Sequence, residues 1–191
     1  MKSYLILLIL LFFIFQPLFS QEFDRFVDKR DGEEYVSVKI ENQIWMAQNL
    51  NFDTASCWIY NEDKENAMIY GRLYHWKDAQ KVCPEGWHLP NATEWDELVT
   101  YLGGISISGA KLKKRNEVLW IAPNRANNKS GFSAIPGGFV SKYGKYNEIS
   151  KIATFWSASS SSALKISVNF GTMKKNTKNT IVVLMITKNI G

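Results

Sequence analysis

The chain is poor in the residues that most enzymes rely on. Its 191 residues hold two His, His75 and His88, and two Cys, Cys57 and Cys83. A zinc centre takes three or four ligands, so two His with unplaced carboxylates fall short of one. Cys83 lies five residues before His88, but a thiol nucleophile also needs an orienting polar group and an oxyanion site. No pattern in the sequence assembles these. Set between Trp87 and Leu89-Pro90, His88 is predicted to be a core histidine bonded to backbone. Gly137-Gly138 is followed by neither Lys-Ser/Thr nor a helix, so a turn is expected there and not a phosphate loop. The polar stretch with Asn51, Asp53, Asn61, Glu62 and Asp63 lacks EF-hand spacing and reads as a surface loop. Neither a metal nor a cofactor is expected, and no catalytic residue is assigned.

A long apolar run is also missing. The only candidate, Leu5 to Phe15 after Lys2, is shorter than the ~20 residues of a spanning helix. A basic start, a short apolar centre and Ser20 before a polar stretch make a signal peptide over residues 1–20. No Cys lies near the cut to accept a lipid. The expected protein is therefore secreted, periplasmic or at the cell surface, with no transmembrane span in the mature chain. Two Cys in such a compartment ordinarily pair. Pairing needs Cα atoms within ~7 Å, so a Cys57–Cys83 disulfide and two free thiols both stand at this point.

Acidic residues stop at Glu148, although Lys151, Lys165, Lys174, Lys175, Lys178 and Lys188 follow. A basic end could meet an acidic polysaccharide; a solvated Lys face is the preferred reading. Nucleic acid is not an expected partner of an exported protein. Present in quantity are apolar residues at 46% and aromatic residues at 14%, which argues for a packed domain.

Gln21 to Arg30 reads as an extended lead-in. Tyr35 to Ile40 and Gln43 to Ala47 read as a hairpin turning at Glu41-Asn42, without the Gly that a tight turn favours. Leu73, Trp76, Ala79, Gln80 and Cys83 predict one short amphipathic helix ended by Pro84-Glu85-Gly86. Asn91 with Glu94 forms a capping box. Trp95, Leu98, Val99 and Leu102 mark one face of a second helix, which Gly103-Gly104 stops. Ile105 to Ala110 reads as small and flexible, leading into the basic cluster Lys111 to Arg115. Gly131 to Phe139 predicts a strand breaking into a turn. Thr154 to Ser157, Leu164 to Phe170 and Thr180 to Ile186 predict strands. Helices followed by short strands give an α+β fold.

Five pieces resemble the Fibrobacter succinogenes major paralogous domain family in order. They are Trp45-Met46-Ala47 with Asn49-Leu50; Tyr70 to Trp76; Cys83 to Pro90 with Glu94-Trp95; Gly131 to Gly138; and Phe155-Trp156-Ser157. The resemblance covers residues 31–191, taken as the domain. It implies an exported protein of Bacteroidetes or their relatives and a C-type-lectin-like fold. That fold has two helices packed on short antiparallel strands, long loops and termini close together. No established activity comes with it. Such relatives carry a second Cys where this chain has residues near Ala67, and a late Cys where it reads Ile181-Val182-Val183-Leu184. The resemblance implies that late Cys as the usual partner of Cys83.

By analogy of fold alone, the resemblance raises glycan binding. The calcium-lectin tripeptides Glu-Pro-Asn, Gln-Pro-Asp and Trp-Asn-Asp are absent. A calcium-free site would stack sugar on aromatic faces, and Trp58, Tyr60, Trp120, Tyr143 and Tyr146 are the candidates. Trp45, Trp76, Trp87, Trp95 and Trp156 are expected in the core. The leading expectation is a secreted non-catalytic binding module for a glycan or a surface protein, displaying loops Pro123 to Ser130 and Tyr143 to Ser150. An enzyme of unknown reaction and a cell-surface assembly or adhesion protein are the alternatives.

Overall fold

The structure is a computed structural model that describes residues 21–116, 118–159, 162–167, 171–175, 181–183 and 186–189. The expected signal peptide, residues 1–20, lies outside the described residues.

The segment Gln21 to Arg30 is extended, as expected, and most of it is built into a sheet. Strand β1 (Glu22–Val27) pairs antiparallel with β2 (Glu34–Ile40) along its whole length, from Glu22 opposite Lys39 to Val27 opposite Glu34. The signal in the sequence was weak because β1 is an edge strand with mostly exposed side chains. Next, β2 turns into β3 (Gln43–Met46), as the hairpin pattern predicts. Glu41 sits in the turn at φ 55, a left-handed conformation that Gly would adopt without steric cost. Alternation along β2 puts Val38 and Ile40 on one face and Tyr35 and Ser37 on the other, and all four are buried. The sheet is completed by β11 (Thr187–Asn189), paired with β3, so that its order is β1-β2-β3-β11. The first and last described strands thus share one four-stranded sheet.

Four α-helices follow among the described residues. The first, α1 (Lys64–Tyr70), falls where a surface loop was expected. Asp63 starts it by accepting from the Glu65 backbone N–H at 3.0 Å. The short helix predicted over Leu73 to Cys83 is shorter still than its pattern. Leu73 and Tyr74 form strand β4 (Leu73–Tyr74), and only α2 (Trp76–Ala79) is helical. Leu73 also exchanges backbone bonds with Trp58, so its backbone is committed to neighbours distant in sequence. Helix α3 (Ala92–Tyr101) forms as expected. Asn91 accepts from the Glu94 N–H at 3.0 Å, and Glu94 accepts from the Asn91 N–H at 2.8 Å. Gly103 and Gly104, both at positive φ, turn their N–H groups back onto Thr100 and Val99. The stretch expected to be flexible forms α4 (Ile105–Leu112), which buries Ser108, Gly109 and Leu112.

The second sheet combines β4, β5 (Phe139–Val140), β6 (Tyr146–Asn147), β7 (Ile152–Trp156), β8 (Ser162–Ser167), β9 (Gly171–Lys175) and β10 (Ile181–Val183). Its path runs β6-β5-β10-β7-β8-β9, with β4 also on β10. The β10–β7 pair is parallel and the other pairs are antiparallel. All five residues of β7 are buried, as a strand covered on both faces requires. Gly138, at φ 65, is held where a Cβ would lie 2.3 Å from the Asn147 carbonyl oxygen. Together these elements give the expected α+β class.

The core joins the two sheets through aromatic rings. Trp45, Trp95, Phe132 and Phe155 stack or tilt against one another at centroid distances of 4.7 to 6.0 Å. The buried indole N–H groups find acceptors. Trp156 donates to Tyr74 O, Trp95 to Trp156 O, and the half-buried Trp76 to Ser157 O. Trp87 stacks on Phe26 at 4.4 Å. All five tryptophans expected in the core pack in it or against it.

Candidate functional site

The five candidate rings are not brought together. Trp120 is fully buried and donates its indole N–H to Ala134 O, which makes it a core residue and not a loop contact. Tyr60 is buried and packs on Tyr146 at 5.1 Å. Trp58 is half-buried, with its backbone bridged to Leu73. Only Tyr143 stands in solvent, with the Lys142 ammonium 4.8 Å from its ring centre. The sequence signal failed because loop residues near an aromatic core turn their rings inward, where each removes a large apolar area from water.

The two cysteines are free. Cys57 is held in its own turn, where its thiol contacts Asp53 and Thr54 and the Arg72 guanidinium lies 3.5 Å away. Cys83 follows α2, with its sulfur 3.8 Å from Ala79 O, and burial pushes its thiol up to about 12. A thiol so reluctant to ionise is a poor nucleophile. His75 is exposed ahead of α2. His88 is not bonded to backbone through its ring as expected. Its Nε2 lies 2.6 Å from Glu94 Oε1 with the side chain 43% exposed, while its backbone pairs with Thr187. Glu94 is thereby shared between the capping box and His88. Among the described residues no three His, Cys, Asp or Glu side chains gather as a metal site.

A cleft of about 530 Å³ opens elsewhere, between the start of β2, the segment after β3, the end of α1 and the chain around Lys114 and Ser133. Three carboxamides lie along it, from Gln48, Asn49 and Asn51. The backbone aims them. Gln48 Oε1 accepts from the Val36 N–H at 2.7 Å, and Asn49 Nδ2 donates to Tyr70 O at 2.7 Å. The Asn51 N–H donates to the Tyr35 hydroxyl at 3.1 Å. Asn49 Oδ1 and Asn51 Oδ1 are buried with no hydrogen-bond partner among the described residues. Such orphaned acceptors are uncommon in native proteins and call for an explanation. Gly71, at φ 72, lets α1 approach this wall; a Cβ there would lie 2.8 Å from Leu50 O. Glu33 and Lys114 add one charge of each sign, while Met68 and Ile69 give an exposed apolar rim.

The arrangement offers oriented donors and acceptors, an apolar edge and balanced charge. That is the chemistry of holding a polar neutral ligand. Part of it was visible in the sequence, because Asn49-Leu50 was one of the matching pieces. The cleft itself was not, since α1 and the Lys114 and Ser133 segments reach it only through the tertiary fold.

A family model described as the Fibrobacter succinogenes major domain matches residues 38–186, well over half of the chain. No curated protein and no solved structure matches.

Proposed function

This chain belongs to the Fibrobacter succinogenes major domain family, and on that footing we propose that it is an exported, non-catalytic binding module whose cleft holds a glycan. The observation that carries the reading is the row of carboxamides from Gln48, Asn49 and Asn51 along the cleft. A carboxamide presents both donors and an acceptor, which matches the hydroxyl groups of a sugar. Against catalysis stand the high-pKa thiol of Cys83 and the engagement of His88 with Glu94.

The C-type-lectin-like architecture is part of the proposal. What supports it is the sharing of one sheet by β1 and β11, which brings the two ends of the described chain together. Export rests on the signal-peptide pattern of residues 1–20. A second reading, a segment of a surface protein as ligand, draws on the exposed Met68 and Ile69 at the rim.

The test is a glycan array probed with the purified protein, with and without chelator. Chelator-insensitive hits are expected. A folded sample that binds no glycan, but is captured through Met68 and Ile69 by a surface protein, would transfer the reading to the second ligand.

A further inference from the structure

A second concavity, of about 250 Å³, shares no residue with the cleft and differs from it in charge. Lys39, Lys111 and Lys129 surround it, and none of its lining residues is acidic. Its floor is apolar, from the buried Ile40 and Leu102, and the ring of Tyr101, 46% exposed, stands at its side. The lysines come from three separate places: strand β2, the last turn of α4 and the loop Pro123 to Ser130. Their backbones are pinned together. The Ser130 hydroxyl and N–H both donate to Lys111 O, at 2.8 and 3.1 Å, and Gln21 Nε2 donates to Lys129 O at 2.6 Å.

Among the described residues one carboxylate offsets these charges. Glu22 lies 3.6 Å from Lys39, and both side chains are largely in water, where such a pair contributes little. Among the described residues Lys111 and Lys129 make no ion pair. Three lysines lining one concavity gather like charge there, and an anion placed among them offsets it.

We propose that this pocket binds the anionic group of an acidic saccharide, with the carboxylate or sulfate among Lys39, Lys111 and Lys129 and the sugar ring against Tyr101. The volume lies below the ~300–1,000 Å³ typical of drug-sized ligands, which suits a single monosaccharide unit. An apolar floor beside an exposed aromatic ring favours a ring-bearing anion over a flat anionic membrane. The site is independent of the neutral cleft and stands whether or not the cleft binds glycan.

The test is titration of the purified protein with a uronate trisaccharide, a sulfated trisaccharide and the carboxyl-reduced form of the first. The wild type is expected to bind at least one acidic sugar and to ignore the reduced one. Raising the salt from about 0.05 to 0.5 M should weaken binding severalfold, because screening acts on exposed charges. K111A/K129A should weaken it at least tenfold. Tyr101→Ala should weaken binding of the trisaccharide severalfold while leaving binding of inorganic sulfate unchanged. Met68→Ala, in the cleft rim, should have no effect, which separates this site from the other. Thermal melts of each variant confirm folding, and all the substituted side chains reach solvent. Equal binding of the reduced sugar, no binding of either acidic sugar by folded wild type, no loss in K111A/K129A, or tighter binding to anionic lipid vesicles than to either sugar would each overturn the proposal.

Discussion

Arg30 joins three segments that no covalent link joins. Its guanidinium bonds both carboxylate oxygens of the buried Asp28, donates to Val82 O at 2.9 Å and lies 3.8 Å from the ring centre of Phe52. It thus ties the β1–β2 turn to the chain beside Cys83, where the resemblance implies a lost disulfide. Hydrogen bonds to charged groups contribute ~1.5–3 kcal/mol each. Arg30→Ala is therefore expected to lower unfolding stability by about 2–3 kcal/mol, measured by urea denaturation. The Arg30 side chain holds the Asp28 carboxyl below the ordinary carboxylate range. A depressed folded-state pKa gives stability that is fully present above the unfolded value, ~3.9, and lost as pH falls through the folded one. Stability should fall below about pH 4 in the wild type, and that part of the acid sensitivity should be missing in Asp28→Asn. Neither residue stood out in the sequence, because the partners of Arg30 lie up to 52 residues away.

Among the elements, α3 was the most legible, and its reason is local. Asn91, Glu94 and the apolar face all lie within one short stretch, so propensity, cap and periodicity agree. Asn91→Ala should cost ~0.5–2 kcal/mol, read from the same urea curves. It should also loosen His88, since Glu94 bonds both the Asn91 N–H and the His88 ring. The Leu73 to Cys83 segment shows the converse. Its apolar spacing fits a helix, yet the Leu73 and Tyr74 backbones pair with β10, more than a hundred residues on. Non-local pairing leaves no mark in a short window. Helix α4 escaped notice because Gly109 and the Ile105-Ser106-Ile107-Ser108 run before it favour no helix on propensity alone; it packs against β9, also from the far end of the chain.

For the molecule as a whole, the fold class and the family were legible, while the site was not. Motifs such as Trp45-Met46-Ala47 and Phe155-Trp156-Ser157 mark the core that joins the two sheets. The cleft and the lysine pocket exist only where separate segments meet, and of the loop aromatics that the sequence offered Tyr60 and Trp120 turn inward while Tyr143 stands in solvent. The cysteines carry a prediction at this scale. Thiol titration of the denatured, unreduced protein should find two thiols, and in the native protein Cys83 should react slowly, because its half-buried thiol is hard to ionise. A count of zero would restore the Cys57–Cys83 pair.

If the carboxamide cleft exists for a ligand, Asn51 in its wall is needed for binding and not for folding. Its Oδ1 has no partner among the described residues, so removing it should leave the fold unharmed. Asn51→Ala is expected to keep unfolding stability within ~0.5 kcal/mol of wild type or raise it. Its affinity for the glycans captured by the wild type should fall about tenfold, equivalent to ~1.4 kcal/mol. Unchanged glycan affinity in Asn51→Ala, or a loss of affinity that merely follows a loss of stability, would contradict the account.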